Sequence, residues 1–194
     1  EAFGADFMAF SAHKMCGPTG IGALLVSEDV FSEMEPFMGG GDMIETVTVD
    51  GSTYQTNEHK FEAGTPRIAE AIGWTAALDW MESFDLDKEH ARLIKIASWV
   101  ADELRSLGMD VYGRHGEHDA AVVSFLHPTI NSEDMAHLLD ARGFAVRTGH
   151  HCAQPLLTRL GISGTVRASF YVYNTREEAE SFVDELKVIV EKFA

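Results

Sequence analysis

Ser11-Ala12-His13-Lys14-Met15-Cys16-Gly17-Pro18-Thr19-Gly20-Ile21-Gly22 is the stretch on which the reading of this 194-residue chain turns. Apolar runs flank it, Phe7 to Phe10 before and Ile21 to Val26 after, so a glycine-rich turn is expected to join two buried strands. Gly17, Gly20 and Gly22 let a ligand approach the main chain, and Pro18 stiffens the turn. Ser11 and His13 stand two apart, share a face in an extended segment, and can both donate hydrogen bonds to an anion. Lys14 follows at once and is expected to be drawn into a largely apolar turn; a neutral lysine amine condenses with aldehydes. Singly, these residues are explained by a solvated lysine and a common turn. Their joint spacing is what carries specificity.

A second constellation lies far downstream in Arg147-Thr148-Gly149-His150-His151-Cys152-Ala153-Gln154-Pro155-Leu156, after the apolar run Phe144 to Val146. A cysteine behind two histidines and a guanidinium has the cationic surroundings that favour thiolate, the nucleophilic form. The same cluster also reads as a small buried hydrophobe or as a metal site. Metal ranks third, because adjacent ligands fit the usual zinc spacing poorly and no second Cys/His pair completes a set. Further on, Thr165 to Val172 alternates Val166, Ala168, Phe170 and Val172 with Arg167, Ser169 and Tyr171, a strand with one face in the core. Arg167 in its middle is either half of a structural ion pair or a planar fork for a carboxylate. In Phe61-Glu62-Ala63-Gly64-Thr65-Pro66, Thr65 is placed as the N-cap and Pro66 at the first position of a helix carrying Ile68, Ala71, Ile72, Thr75 and Leu78. Capping explains Thr65 by default; a helix start is also an anion site.

Ser-x-His-Lys followed by Gly-Pro-x-Gly-x-Gly resembles the cofactor-lysine segment of class V aminotransferase-like enzymes, above all the Suf-type (class II) cysteine desulfurases. The resemblance implies that Lys14 holds pyridoxal 5'-phosphate and that Ser11 and His13 bind its phosphate. Arg-Thr-Gly-His-His-Cys-Ala-x-Pro-Leu is similar to the family's active-cysteine loop, making Cys152 the residue that takes sulfur from cysteine. Val-Arg-Ala-Ser-Phe-Tyr-x-Tyr-Asn-Thr resembles the segment whose arginine binds the substrate carboxylate, so Arg167 takes that role with Arg147 in the same pocket. Thr65 would approach the cofactor phosphate of the other subunit of a homodimer, and Gly39 to Gly41 with Asp42, Met43 and Ile44 resembles the dimer-facing loop. The implied products are alanine and a persulfide on Cys152, passed to a Suf-type acceptor for iron-sulfur cluster assembly. A selenocysteine lyase or another class V lyase is the close alternative, and a non-catalytic dimerisation or binding half is the more distant one.

The resemblance implies an α/β chain, the later part of a fold-type I pyridoxal-phosphate transferase: residues 1–85 closing the large cofactor domain and 86–194 forming a small α/β domain. The family's upstream aspartate, ring-stacking histidine and further phosphate contacts have no counterpart in the chain, which starts at Glu1. It is therefore expected to be an excised or incompletely sequenced piece that does not turn over cysteine alone. The pattern of the second part agrees with an α/β domain. Leu86, His90, Leu93, Ala97, Val100, Leu104 and Leu107 mark a long amphipathic helix ending at Gly108. Strands are expected at Met109 to Tyr112 and Ala120 to Leu126, then a helix capped by Ser132 that stops at Gly143. A capping box of Thr175 and Glu178 opens a last helix whose inner face is Ala179, Phe182, Val183, Leu186, Ile189, Val190 and Phe193. Residues 45 to 60 read as a polar loop with one short hairpin.

Bulk properties agree with a soluble cytoplasmic protein. No apolar stretch reaches membrane-spanning length and no secretory signal is seen. Cys16 and Cys152 lie in different motifs, which argues against a structural disulfide. Fifteen basic residues against 31 acidic ones give a net charge of -16, the wrong sign for nucleic acid. A surface so acidic fits an ordinary cytosolic protein or, more sharply, one adapted to high salt.

Overall fold

A computed structural model describes residues 4–113 and 119–193. The chain divides into two compact units, Glu1–Phe84 and Asp85–Ala194.

In the first unit, β1 (Phe7–Ser11) pairs antiparallel with β2 (Gly22–Val26), from Phe7 opposite Val26 to Ser11 opposite Gly22. A short helix α1 (Glu28–Glu33) precedes a hairpin of β3 (Ile44–Val47) and β4 (Ser52–Tyr54), the hairpin expected within residues 45 to 60. Helix α2 (Ile68–Glu82) closes the unit. The expected burial of the two flanking strands is not found: no residue of β1 or β2 is buried, and Phe7, Leu24 and Leu25 are 50%, 55% and 61% exposed. Their sheet is only two strands wide, and among the described residues no second layer of this unit covers these side chains. Helix α2 is in the same condition, with no buried residue, because its apolar side chains run round the helix instead of forming one stripe.

The start of α2 also differs from the expectation. The residue at its N-cap is Arg67, which makes no side-chain capping bond, and Thr65 and Pro66 lie before it. The Ile68 amide donates to the Pro66 carbonyl at 2.9 Å, a tight turn that delays the helix. A residue preceding proline is also biased towards extended backbone, which takes Thr65 out of helical geometry.

The second unit is a four-stranded antiparallel sheet with helices on one face. Helix α3 (Leu86–Ser106) is capped by Asp85, whose side chain accepts from the Lys88 amide at 3.1 Å. It ends at left-handed Gly108. Then come β5 (Asp110–Tyr112), β6 (Val122–Leu126), α4 (Ser132–Asp140), β7 (Arg147–Gly149), α5 (Gln154–Leu160), β8 (Thr165–Ser169) and α6 (Arg176–Phe193). The sheet order is β5-β6-β8-β7. Val123, Phe125, Val166 and Ala168 point into a core completed by Ala97, Val100 and Leu104 of α3, Met135 and Leu139 of α4, and Phe182, Val183, Leu186 and Ile189 of α6. The Thr175/Glu178 capping box forms as expected, with reciprocal bonds of 3.1 and 2.9 Å. Three expectations need correction. Asn131, not Ser132, caps α4, accepting from the Glu133 and Asp134 amides. Strand β8 ends at Ser169, because the Asn174 side chain takes the Tyr171 amide at 2.8 Å and turns the chain. Phe193 is 53% exposed in the last turn of α6, beyond the reach of the core.

Candidate functional site

Sequence reasoning singled out residues in both units, and each group has its own geometry. In the first unit the chain leaves β1 at Ser11 and makes a single 3-10 turn, Ala12–Lys14. Ala12 is fully buried, and its carbonyl accepts from the Met15 amide at 2.8 Å and the Gly17 amide at 2.9 Å. That fold of the main chain turns His13 and Lys14 outwards. Both are exposed, while Ser11 is half-buried and its hydroxyl caps nothing. The apolar enclosure expected for Lys14 is thus absent from this unit. Gly17 is required by space: a Cβ there would lie 2.9 Å from Trp74 Cδ1 on α2 and 3.0 Å from the Ala12 carbonyl oxygen. The glycine triplet packs on the Gly64-Thr65-Pro66 segment, with the Gly64 amide donating to the Gly41 carbonyl at 2.8 Å. A Cβ on Gly40 would meet Ala63 Cβ at 3.0 Å. A hydroxyl, an imidazole and a primary amine within four residues make a donor set that fits a phosphorylated aldehyde.

In the second unit the sheet register assembles a row that no sequence spacing displays. Tyr112 stands opposite Ser124, Ser124 opposite Arg167, and Arg167 opposite Arg147. Residues directly opposite share a face, here the one turned away from the buried Val166 and Ala168. Two arginines facing each other across an antiparallel pair repel, and among the described residues neither forms an ion pair. The Arg167 Nε is buried without a hydrogen-bond partner. Such an arrangement suits an anion, and among the described residues it leaves the ion-pair reading of Arg167 without a carboxylate. A cavity of about 580 Å³ opens on this face, lined by Tyr112, Ser124, His151, Leu157, Thr165 and Arg167. Burial, with Asp110 nearby, keeps the Tyr112 phenol above its usual 10.0 and so protonated.

Cys152 hangs from the end of β7. Its thiol is free and exposed, and Arg147 Nη2 lies 3.7 Å from Sγ. The buried-hydrophobe reading of this cysteine is therefore wrong. His151 turns the other way, its Nε2 lying 3.0 Å from the Thr165 carbonyl oxygen and 2.9 Å from the Thr165 hydroxyl. Among the described residues no three His, Cys, Asp or Glu side chains are grouped to hold a metal. The structure thus brings Arg147, His151, Cys152 and Arg167 together in one unit, and Ser11, His13 and Lys14 together in the other. Tyr112, Ser124 and Thr165 were missed. Thr165 alone left a signal, a polar residue heading an apolar strand.

A lysine turn after a strand and a cysteine loop beside paired arginines define a class that comparison makes explicit: the aminotransferase class-V family model matches residues 1–182, and the chain belongs to that family. Within it, a cysteine desulfurase of Haloferax volcanii is 42% identical over all of this chain, and a probable cysteine desulfurase of Streptomyces coelicolor is 44% identical over 96% of it. The solved cysteine desulfurase of Thermococcus onnurineus NA1 superposes with a TM-score of 0.93 at 41% identity, covering 97% of this chain and 48% of that one. A cysteine desulfurase of Escherichia coli gives 0.91 at 38% identity, covering 97% and 47%. The chain spans about half the length of these relatives, 46% and 45% of the first two.

Proposed function

We propose that this chain carries the lysine turn and the cysteine loop of a pyridoxal-phosphate-dependent cysteine desulfurase. The observation that carries the proposal is the exposed Cys152 thiol 3.7 Å from Arg147, which itself stands opposite Arg167. A cationic pair with no carboxylate of its own among the described residues suits the carboxylate of a free amino acid, which a planar guanidinium grips with two parallel bonds. Ser11 and His13 would hold the cofactor phosphate and Lys14 its aldehyde carbon. Bound pyridoxal phosphate would supply the electron-withdrawing ring that spreads charge from the substrate carbon. Lys14 Nζ takes the proton from the substrate Cα. Cys152 Sγ then attacks the substrate sulfur: the S–S bond forms as the Cβ–S bond breaks, and its electron pair stays on the carbon. Protonation at Cβ and return of the proton from Lys14 Nζ to Cα give alanine, and Cys152 retains the sulfur as a persulfide.

The same proposal extends to a cytoplasmic homodimer with Thr65 near the partner's cofactor phosphate, and to a Suf-type acceptor for the sulfur. The contact of Gly64 with Gly41 supports the first point by placing the two implicated segments side by side. Light scattering reports the dimer directly. For the chemistry, the holoenzyme is incubated with cysteine while alanine and the Cys152 persulfide are followed by mass spectrometry. Cys152→Ser is expected to lower alanine formation by about 100-fold or more, and Lys14→Ala to remove the cofactor absorbance. Full activity in Cys152→Ser would sink the desulfurase assignment in favour of a selenocysteine lyase or another class V lyase.

A further inference from the structure

The turn that presents Cys152 is built from residues that resist its shape. His151 and Cys152 have left-handed backbones, with φ of +52° and +61°, and follow Gly149 at +97°, a conformation that glycine alone adopts freely. The turn closes through the Ala153 amide, which donates to the His150 carbonyl at 2.8 Å. Its two central positions are thus both left-handed, a geometry that suits Gly and Asn and strains His and Cys. At its entrance the main chain passes so close to β8 that a Cβ on Gly164 would meet Gly149 Cα at 3.2 Å. Strain of this kind persists only where surrounding contacts impose it.

The contact available is the imidazole of His151. Thr165, its partner, is 1% exposed at the head of β8. The Thr165 carbonyl can only accept, which favours the hydrogen on Nε2; in that neutral tautomer Nδ1 bears a bare lone pair. Nδ1 is buried and has no hydrogen-bond partner among the described residues. A proton there would leave a buried donor unsatisfied. Burial lowers the His151 pKa from the usual 6.5; the Thr165 carbonyl acts the other way, and Arg167, Arg147 and His150 add to the lowering.

We propose that His151 is the positioning residue of the sulfur-accepting loop: pinned to Thr165 as a neutral imidazole, it holds the left-handed turn that keeps Cys152 Sγ exposed beside Arg147. Thr165 and Arg167 lie two residues apart on β8. The clamp therefore references the nucleophile to the strand that carries the carboxylate anchor. Its catalytic consequence rests on the desulfurase assignment; its effect on the thiol does not.

The test separates the two. In the holoenzyme, alkylation of Cys152 by iodoacetamide at pH 7 is followed by peptide mass spectrometry for wild type, His151→Ala, His151→Gly and His151→Gln. Glutamine can donate to the Thr165 carbonyl from nearly the same place and is expected to react as the wild type. Alanine and glycine lose the clamp, and the rate is expected to fall about threefold or more as Cys152 leaves the cation. For turnover of cysteine, kcat is expected to fall about tenfold in both with KM unchanged, because Arg167 is untouched. Glycine relieves the backbone strain, so a His151→Gly variant matching the wild type would show that turn shape alone matters and overturn the clamp. Equal alkylation in all four proteins would overturn it as well. The expected alkylation pattern together with full alanine formation by Cys152→Ser would uphold the clamp and remove the desulfurase assignment.

Discussion

At Gly17 one methyl group is enough to disturb the lysine turn. The atoms it would meet are a stiff indole edge and a main-chain oxygen, and neither can yield cheaply. Gly17→Ala is expected to cost about 1–3 kcal/mol, read as a lowered thermal midpoint together with weaker cofactor absorbance. His151 gives a second residue-scale expectation. Its folded-state pKa lies below 6.5, so the unfolded chain binds the proton more readily. The stabilisation is complete above about pH 6.5 and drains away as pH falls through the lower folded value. Between pH 7 and pH 5 the wild type is expected to lose more stability in urea than His151→Gln does, and identical losses would remove the linkage. Lys14, Cys152 and Arg167 stand out as candidates in the sequence because residue type and near-neighbour spacing mark them. The partners Thr165, Ser124 and Tyr112 do not, since what joins them is strand register.

Among the elements, those with one apolar stripe declared themselves and those without one did not. Helices α3 and α6 bury the side chains their periodicity marks, from Leu93 to Leu104 and from Ala179 to Ile189. Helix α2 could be recognised as a helix, but an apolar surface on every side says nothing about which face is covered. Strand ends were hidden for another reason: the length of β8 depends on one side-chain bond from Asn174, which competes with the ladder. The cap of α4 shows how close two polar candidates can lie. Asn131→Ala is expected to cost about 1 kcal/mol and Ser132→Ala a few tenths, measured by denaturant unfolding. The reverse order would restore Ser132 as the cap.

For the molecule as a whole, charge is the property with the longest reach. A net charge of -16 repels itself in dilute buffer, and salt screens that repulsion within about 10 Å at 0.1 M. Raising KCl from 0.1 to 2 M is expected to raise stability; each kcal/mol gained would appear as about 2–4 °C in Tm. A Tm indifferent to salt over that range would exclude adaptation to a saline interior. The sheet order carries one more consequence. β7 is one of the two edge strands of its sheet, three residues long, with Arg147 at its head and Cys152 just past its end. Short edge strands are the first to fray in native-state hydrogen exchange. Each such opening would carry off Cys152 and Arg147 while Arg167 stayed on β8; under the desulfurase proposal, that state would grip an amino acid it cannot cut. Deuterium entering at 147–149 well before 165–169 would be the record of that idling state.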